Sequence, residues 1–129
     1  MIRFSVSLGV EAAAEKLIAA IAAYPMGLVA HANGQANCAK QGITVPADQV
    51  LEVFRPDYAV KVWAADKAAG IDIPLRIHLY EADGVTWIAH RPASETFRPY
   101  ANAQLDAIAA ELDLVFAELL NTLNPWKLP

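Results

Sequence analysis

The hydrophobic pattern changes period along this chain, and each change marks an element. Ile2, Phe4 and Val6 alternate with Arg3 and Ser5, the two-residue period of a short strand. From Val10 the period lengthens. Val10, Ala13, Ala14, Leu17, Ile18 and Ile21 recur at three- and four-residue steps, which predicts an amphipathic helix over residues 10–23, ended by Pro25. MGLVAHAN (26–33) reads as a second strand, and the small polar stretch GQANCAKQG as a short helix or a loop. QVLEVF (49–54) is β-rich. Pro56 then takes a first helical position in PDYAVKVWAADKAA, with Gly70 placed to cap the end. Strands over 74–81 and 85–90 flank Asp83-Gly84. The last helix carries the longest stripe, from Leu105 through Ile108, Leu112 and Phe116 to Leu123, and NPWKLP cannot continue it.

The order strand, helix, strand, strand, helix, hairpin, helix predicts a single α+β domain over residues 1–129. It is a two-layer sandwich: a mixed or antiparallel sheet with the helices packed on one face. The other face is then solvated, covered by the chain, or covered by a partner.

The hairpin matters most for chemistry. In LRIHLY, Leu75, Ile77 and Leu79 share the helix side, which turns Arg76, His78 and Tyr80 to the far face. The other arm depends on the turn. A two-residue loop at Asp83-Gly84 pairs Ala82 with Val85, sets Trp87 opposite Tyr80 and puts His90 on the helix side. A three-residue loop instead brings His90 beside His78 and buries Trp87. The shorter loop is preferred because it places Ile88 with Leu79 in the core. In LVAHAN, His31 faces either side; on the far face it joins His78 and the aromatics.

Composition narrows the partners. The chain is 56% hydrophobic and 19% charged, with net charge −4 and no basic run, so neither nucleic acid nor an anionic membrane is an expected partner. The one cysteine, Cys38, allows no internal disulfide and suits a reducing compartment. The first residues lack the layout of a secretory signal, and the longest apolar run (17–32) is broken by Pro25 and Gly27. A cytoplasmic protein is expected.

Few residues form a recognisable catalytic pattern. His31, His78, His90 and Cys38 have no metal-ligand spacing, and each histidine is expected to hydrogen-bond locally. A flat cofactor such as haem needs an apolar slot and an axial histidine, which the far face could offer at a dimer interface; packing of that interface by its aromatics is the simpler account. There is no nucleophile elbow and no glycine-rich phosphate loop. The acidic residues of the last helix, Asp106, Glu111, Asp113 and Glu118, read as a solvated face, with Leu114 off the stripe.

Three segments taken together carry a resemblance. They are VEAAAEKLIAAI, VAHANGQANCAKQGITVPADQVLEVFRP and AADKAAGIDIPLRIHLYEADGVTWIAH. With His31, the proline-started helix and Gly70-Ile71-Asp72-x-Pro74-Leu75, they resemble the DUF302 family of small bacterial and archaeal proteins of unassigned function. The resemblance covers about residues 9–120. It implies a two-layer α+β fold and frequent homodimers, and supplies no reaction. Arg55 stands where family members often have Asn before the helix-starting proline, and His90-Arg91-Pro92 where a Tyr-x-Asp-Pro-like stretch is common.

The function expected is therefore a non-enzymatic homodimeric module that binds a small ligand or a partner protein through its open sheet face. The expected ligand-binding residues are His31, Arg76, His78, Tyr80 and Trp87. The histidines supply polar contacts, Arg76 holds an anionic group, and Tyr80 and Trp87 give stacking area. No catalytic residue or resident cofactor is assigned. The alternative is a haem or metal carrier, or a small enzyme, using His31, His78 and Cys38.

Overall fold

A computed structural model describes residues 1–127; the last two residues of NPWKLP lie outside the described residues. Five strands form one antiparallel sheet: β1 (Ile2–Val6), β2 (Gly27–Asn33), β3 (Asp48–Phe54), β4 (Leu75–Ala82) and β5 (Val85–His90). Their spatial order is β1-β5-β4-β3-β2. The helices are α1 (Val10–Ala23), α2 (Gly34–Ala39), α3 (Pro56–Ala65), α4 (Ala93–Phe97) and α5 (Ala103–Leu120). Helix α1 lies against β2, β3 and β4, and α5 packs on α1, α3 and α4. The core fills the space between these helices and one sheet face, through Leu51, Val53, Leu75, Ile77, Leu79 and Ile88. The fold is thus the expected α+β two-layer arrangement, with a purely antiparallel sheet.

The turn settles the hairpin register. Asp83 and Gly84 both have positive φ, 53° and 77°. That is the primed two-residue turn, whose twist matches the strands, and glycine and aspartate tolerate it. Ala82 pairs with Val85, Tyr80 with Trp87, Leu79 with Ile88 and Ile77 with His90.

Strand β2 contains an irregularity that no periodicity announces. Leu28 pairs with Val53, but Ala30 pairs with Glu52, so Val29 is an extra residue on this strand. A bulge of this kind reverses the alternation. Leu28 faces the helices, whereas Ala30 and Ala32 face away from them and His31 faces the helix side beside Leu51.

Gly70 does not cap α3. The helix ends at Ala65, because Asp66 turns extended and its carboxylate accepts a hydrogen bond from the Ala68 amide, starting a 3₁₀ turn over Lys67–Asp72. Gly70 lies in that turn against Trp63, where an added Cβ would sit 3.0 Å from the indole nitrogen.

Asn102 ties the two halves of the helical layer. Its side-chain oxygen accepts from the Gln104 and Leu105 amides at the start of α5, and its Nδ2 donates to the Ala65 carbonyl at the end of α3. Asn102→Ala should lower the unfolding free energy by about 1–2 kcal/mol. Urea unfolding should show this as a lower midpoint with an unchanged slope.

Candidate functional site

The core lies on one side of the sheet, and most side chains of the far face are exposed or half-buried. Pairing across four strands sets Ser5, Trp87, Tyr80 and Asp48 in one row, and Arg3, Ala89, His78 and Val50 in the next. The polar groups of these rows interlock. The Arg3 guanidinium lies 3.8 Å from the centre of the Trp87 ring, and its Nε donates to the Tyr80 hydroxyl at 2.8 Å. Tyr80 stacks on His78 at 4.6 Å, and the His78 Nε2–H donates to Asp48 at 3.0 Å. Arg76 pairs with Glu52 at 3.1 Å in the row beyond. Each contact is exposed and weak alone. Together they hold three aromatic rings and an arginine in one orientation on an uncovered surface.

A cavity of 320 Å³ adjoins this face where β4 begins and β5 ends. Ile71, Ile73 and Leu75 give it apolar walls, and Arg76, His78 and Arg91 give it polar ones. Its volume lies within the range of small-molecule sites.

His90 also lines the cavity, yet it is only 2% exposed. Its ring lies flat on Phe116 of α5, 4.5 Å away and tilted by 5°. Its Nδ1–H donates to the Arg76 carbonyl at 2.8 Å. Its Nε2 is buried with no hydrogen-bond partner among the described residues. Burial pulls its pKa below the ordinary histidine value, opposed by the Arg76 carbonyl and by the charge of Asp113. The fold therefore favours the neutral form of His90.

The fold brings together four of the five expected residues: Arg76, His78, Tyr80 and Trp87. His31 does not join them. The bulge at Val29 turns it to the helix side of the edge strand, where its Nε2–H donates to Gln49 at 2.7 Å. It shares that side with His90, but three strand spacings, about 14 Å, separate them. Cys38 is half-buried on α2. His31 and His78 thus project from opposite faces, and among the described residues no three His, Cys, Asp or Glu side chains form a group that could hold a metal ion. Arg3 and Asp48 are the open-face residues that sequence reasoning passed over. Alternation put Arg3 opposite Phe4, but which strand lay beside it was a long-range fact. Asp113, read as one of a solvated face, is instead half-buried and accepts from the Ser94 amide at 3.2 Å, whereas Leu114 is 67% exposed as its position suggested.

A family model described as a domain of unknown function, DUF302, matches residues 2–123. The chain belongs to the DUF302 family. A crystal structure of an uncharacterized conserved DUF302 protein from Bacillus stearothermophilus has the same fold, with a TM-score of 0.87. The match covers 95% of this chain and 97% of that one at 20% sequence identity. None of the curated proteins matches. Among the described residues, no helix of this DUF302 chain is long and apolar enough to cross a membrane. Arg55 donates to Asp57 at 3.0 Å at the start of α3 and packs over the Tyr58 ring, and Arg91 reaches the cavity.

His90 generates a pH prediction. The unfolded chain binds a proton near the ordinary value of about 6.5, and the folded chain only at lower pH. Unfolding is then favoured as the pH falls below about 6.5, at up to ~1.4 kcal/mol per pH unit. Denaturant titrations across this window should show the loss in the parent and a flatter profile in His90→Gln.

Proposed function

We propose that this DUF302 protein is a binding module rather than a catalyst, and that it holds a small organic anion at the junction of the open face and the cavity. The observation that carries this reading is that Arg76 and His78 belong to both. Arg76 and Arg91 offer charge-assisted donors to a carboxylate. Ile71, Ile73 and Leu75 take its apolar body, and the stacked His78–Tyr80 pair offers a ring surface. The ion pairs that now hold these cations are exposed, so a ligand can displace them cheaply. Benzoate is a suitable probe, with benzyl alcohol as its uncharged counterpart. Millimolar benzoate should shift the amide resonances of residues 71–76 and 89–91, benzyl alcohol should bind several-fold more weakly, and Arg76→Ala should remove the difference. Equal binding of the two probes, or no shift at these residues, would overturn the reading.

A second reading concerns assembly. The open face carries its acids on β3 (Asp48, Glu52) and the exposed Arg3 on β1. A twofold axis along the strands, over the β4–β5 pair, lays β1 of one copy across β3 of the other and brings the Trp87 and Tyr80 rings together. Such isologous pairing is self-complementary. Sedimentation should then report a dimer for the parent and a monomer for Trp87→Glu; a monomeric parent would count against the pairing.

A further inference from the structure

The charges that line the cavity do not balance. Its arginines and His78 each have an acidic partner: Arg76 pairs with Glu52, His78 with Asp48, and Arg91 with Glu95, which also holds the Met1 amino group. Burial favours the neutral form of His90, which adds no cation to the wall. Asp72 lines the same cavity, and among the described residues no basic group pairs with it. The unmatched charge of the cavity is therefore negative, and it sits on a half-buried carboxylate.

Asp72 is also held in place. It ends the 3₁₀ turn that precedes β4, and the Tyr100 hydroxyl donates to its Oδ2 at 2.5 Å. That hydrogen bond raises the Tyr100 pKa above the ordinary tyrosine value, so the phenol keeps its proton and remains the donor. Oδ1 has no hydrogen-bond partner among the described residues. One oxygen fixes the carboxylate and the other is left to accept. A metal ion is a poor occupant, because among the described residues Asp72 joins no group of three metal-ligating side chains. A primary ammonium asks less. Its three N–H donors suit one carboxylate and nearby neutral oxygens, and Thr96 brings a hydroxyl to the same wall.

We propose that Asp72 is an ammonium subsite of this cavity, and that the ligand is a small amino carboxylate. Its ammonium meets Asp72 in a charge-assisted hydrogen bond, and its carboxylate meets Arg76 and Arg91. Four residues separate Asp72 from Arg76, so their Cα atoms lie no more than about 14 Å apart. Two side chains and a small molecule can span that distance. A cavity of 320 Å³ has room for the molecule, and Ile71 and Ile73 take its apolar body. The inference rests on the proposed anion reading for the carboxylate end; the ammonium end is independent of it.

Probes matched except for the ammonium test this on the parent protein, through amide shifts titrated by NMR at neutral pH. Phenylalanine against 3-phenylpropanoate places the two charges side by side. The pair 4-(aminomethyl)benzoate against 4-methylbenzoate places them at opposite ends. In at least one pair the zwitterion should bind about threefold to tenfold more tightly, with shifts at residues 71–73 and at Tyr100. Asp72→Asn keeps an oxygen for Tyr100 and removes the charge, and it should abolish that gain. No gain in either pair, or a gain that survives in Asp72→Asn, overturns the inference, and the anion reading still stands if benzoate binds better than benzyl alcohol. Benzylamine separates the converse case. Should it shift residues 71–73 in the parent but not in Asp72→Asn, while benzoate fails to bind, the ammonium subsite stands and the anion reading falls.

Discussion

The parity of the β4–β5 pairing governs the rest of the molecule. Side chains alternate along a strand, so shifting one arm by a single residue exchanges everything it buries for everything it exposes. Asp83 and Gly84, both at positive φ, form a turn of exactly two residues' length and so leave one parity. Ile88 is then opposite Leu79 in the core, and Trp87 opposite Tyr80 outside it. Strand β1 adds to the free side of β5 and sets Phe4 beside Ile88. Arg3 is thereby delivered to the outer face, within reach of both Trp87 and Tyr80.

The same parity drives His90 inward. An aliphatic residue there would satisfy the pattern better, since Ile2 and Ile77 are its neighbours across the two pairings. The histidine retains one good hydrogen bond, to the Arg76 carbonyl, and a flat stack on Phe116, but leaves Nε2 without a partner. The outer face has the opposite character. Its contacts are individually weak and open to water, but they are numerous and mutually orienting. One side of the sheet thus holds a costly buried polar group, and the other a cheap, adaptable polar surface; the cavity at the start of β4 touches both.

Much of the candidate site was legible because it is local. Arg76, His78 and Tyr80 are two residues apart on one strand, and Trp87 joins them on the shorter of the two loops that Asp83-Gly84 allowed. His31 was not legible in the same way. Its side depends on Val29 being looped out of the pairing with β3, and an extra residue leaves no mark in a run as evenly apolar as GLVAHAN. Gly70 was misleading for a related reason. A glycine after an apolar helix suggests a cap, but Asp66 had already stopped the helix with its own side chain, and Gly70 is small because Trp63 lies against it.

Periods, caps and turn residues act over a few positions, so the sequence by itself determined most of the elements, the α+β class and the helix-facing side of β4, and narrowed the hairpin to two registers. Strand order, the bulge in β2, the delivery of Arg3 to Trp87, the cavity beside Arg76 and the stacking of His90 on Phe116 were decided only by the tertiary structure. Each of these joins residues far apart in the chain, and each depends on how whole layers pack. No local preference of a single residue carries that information.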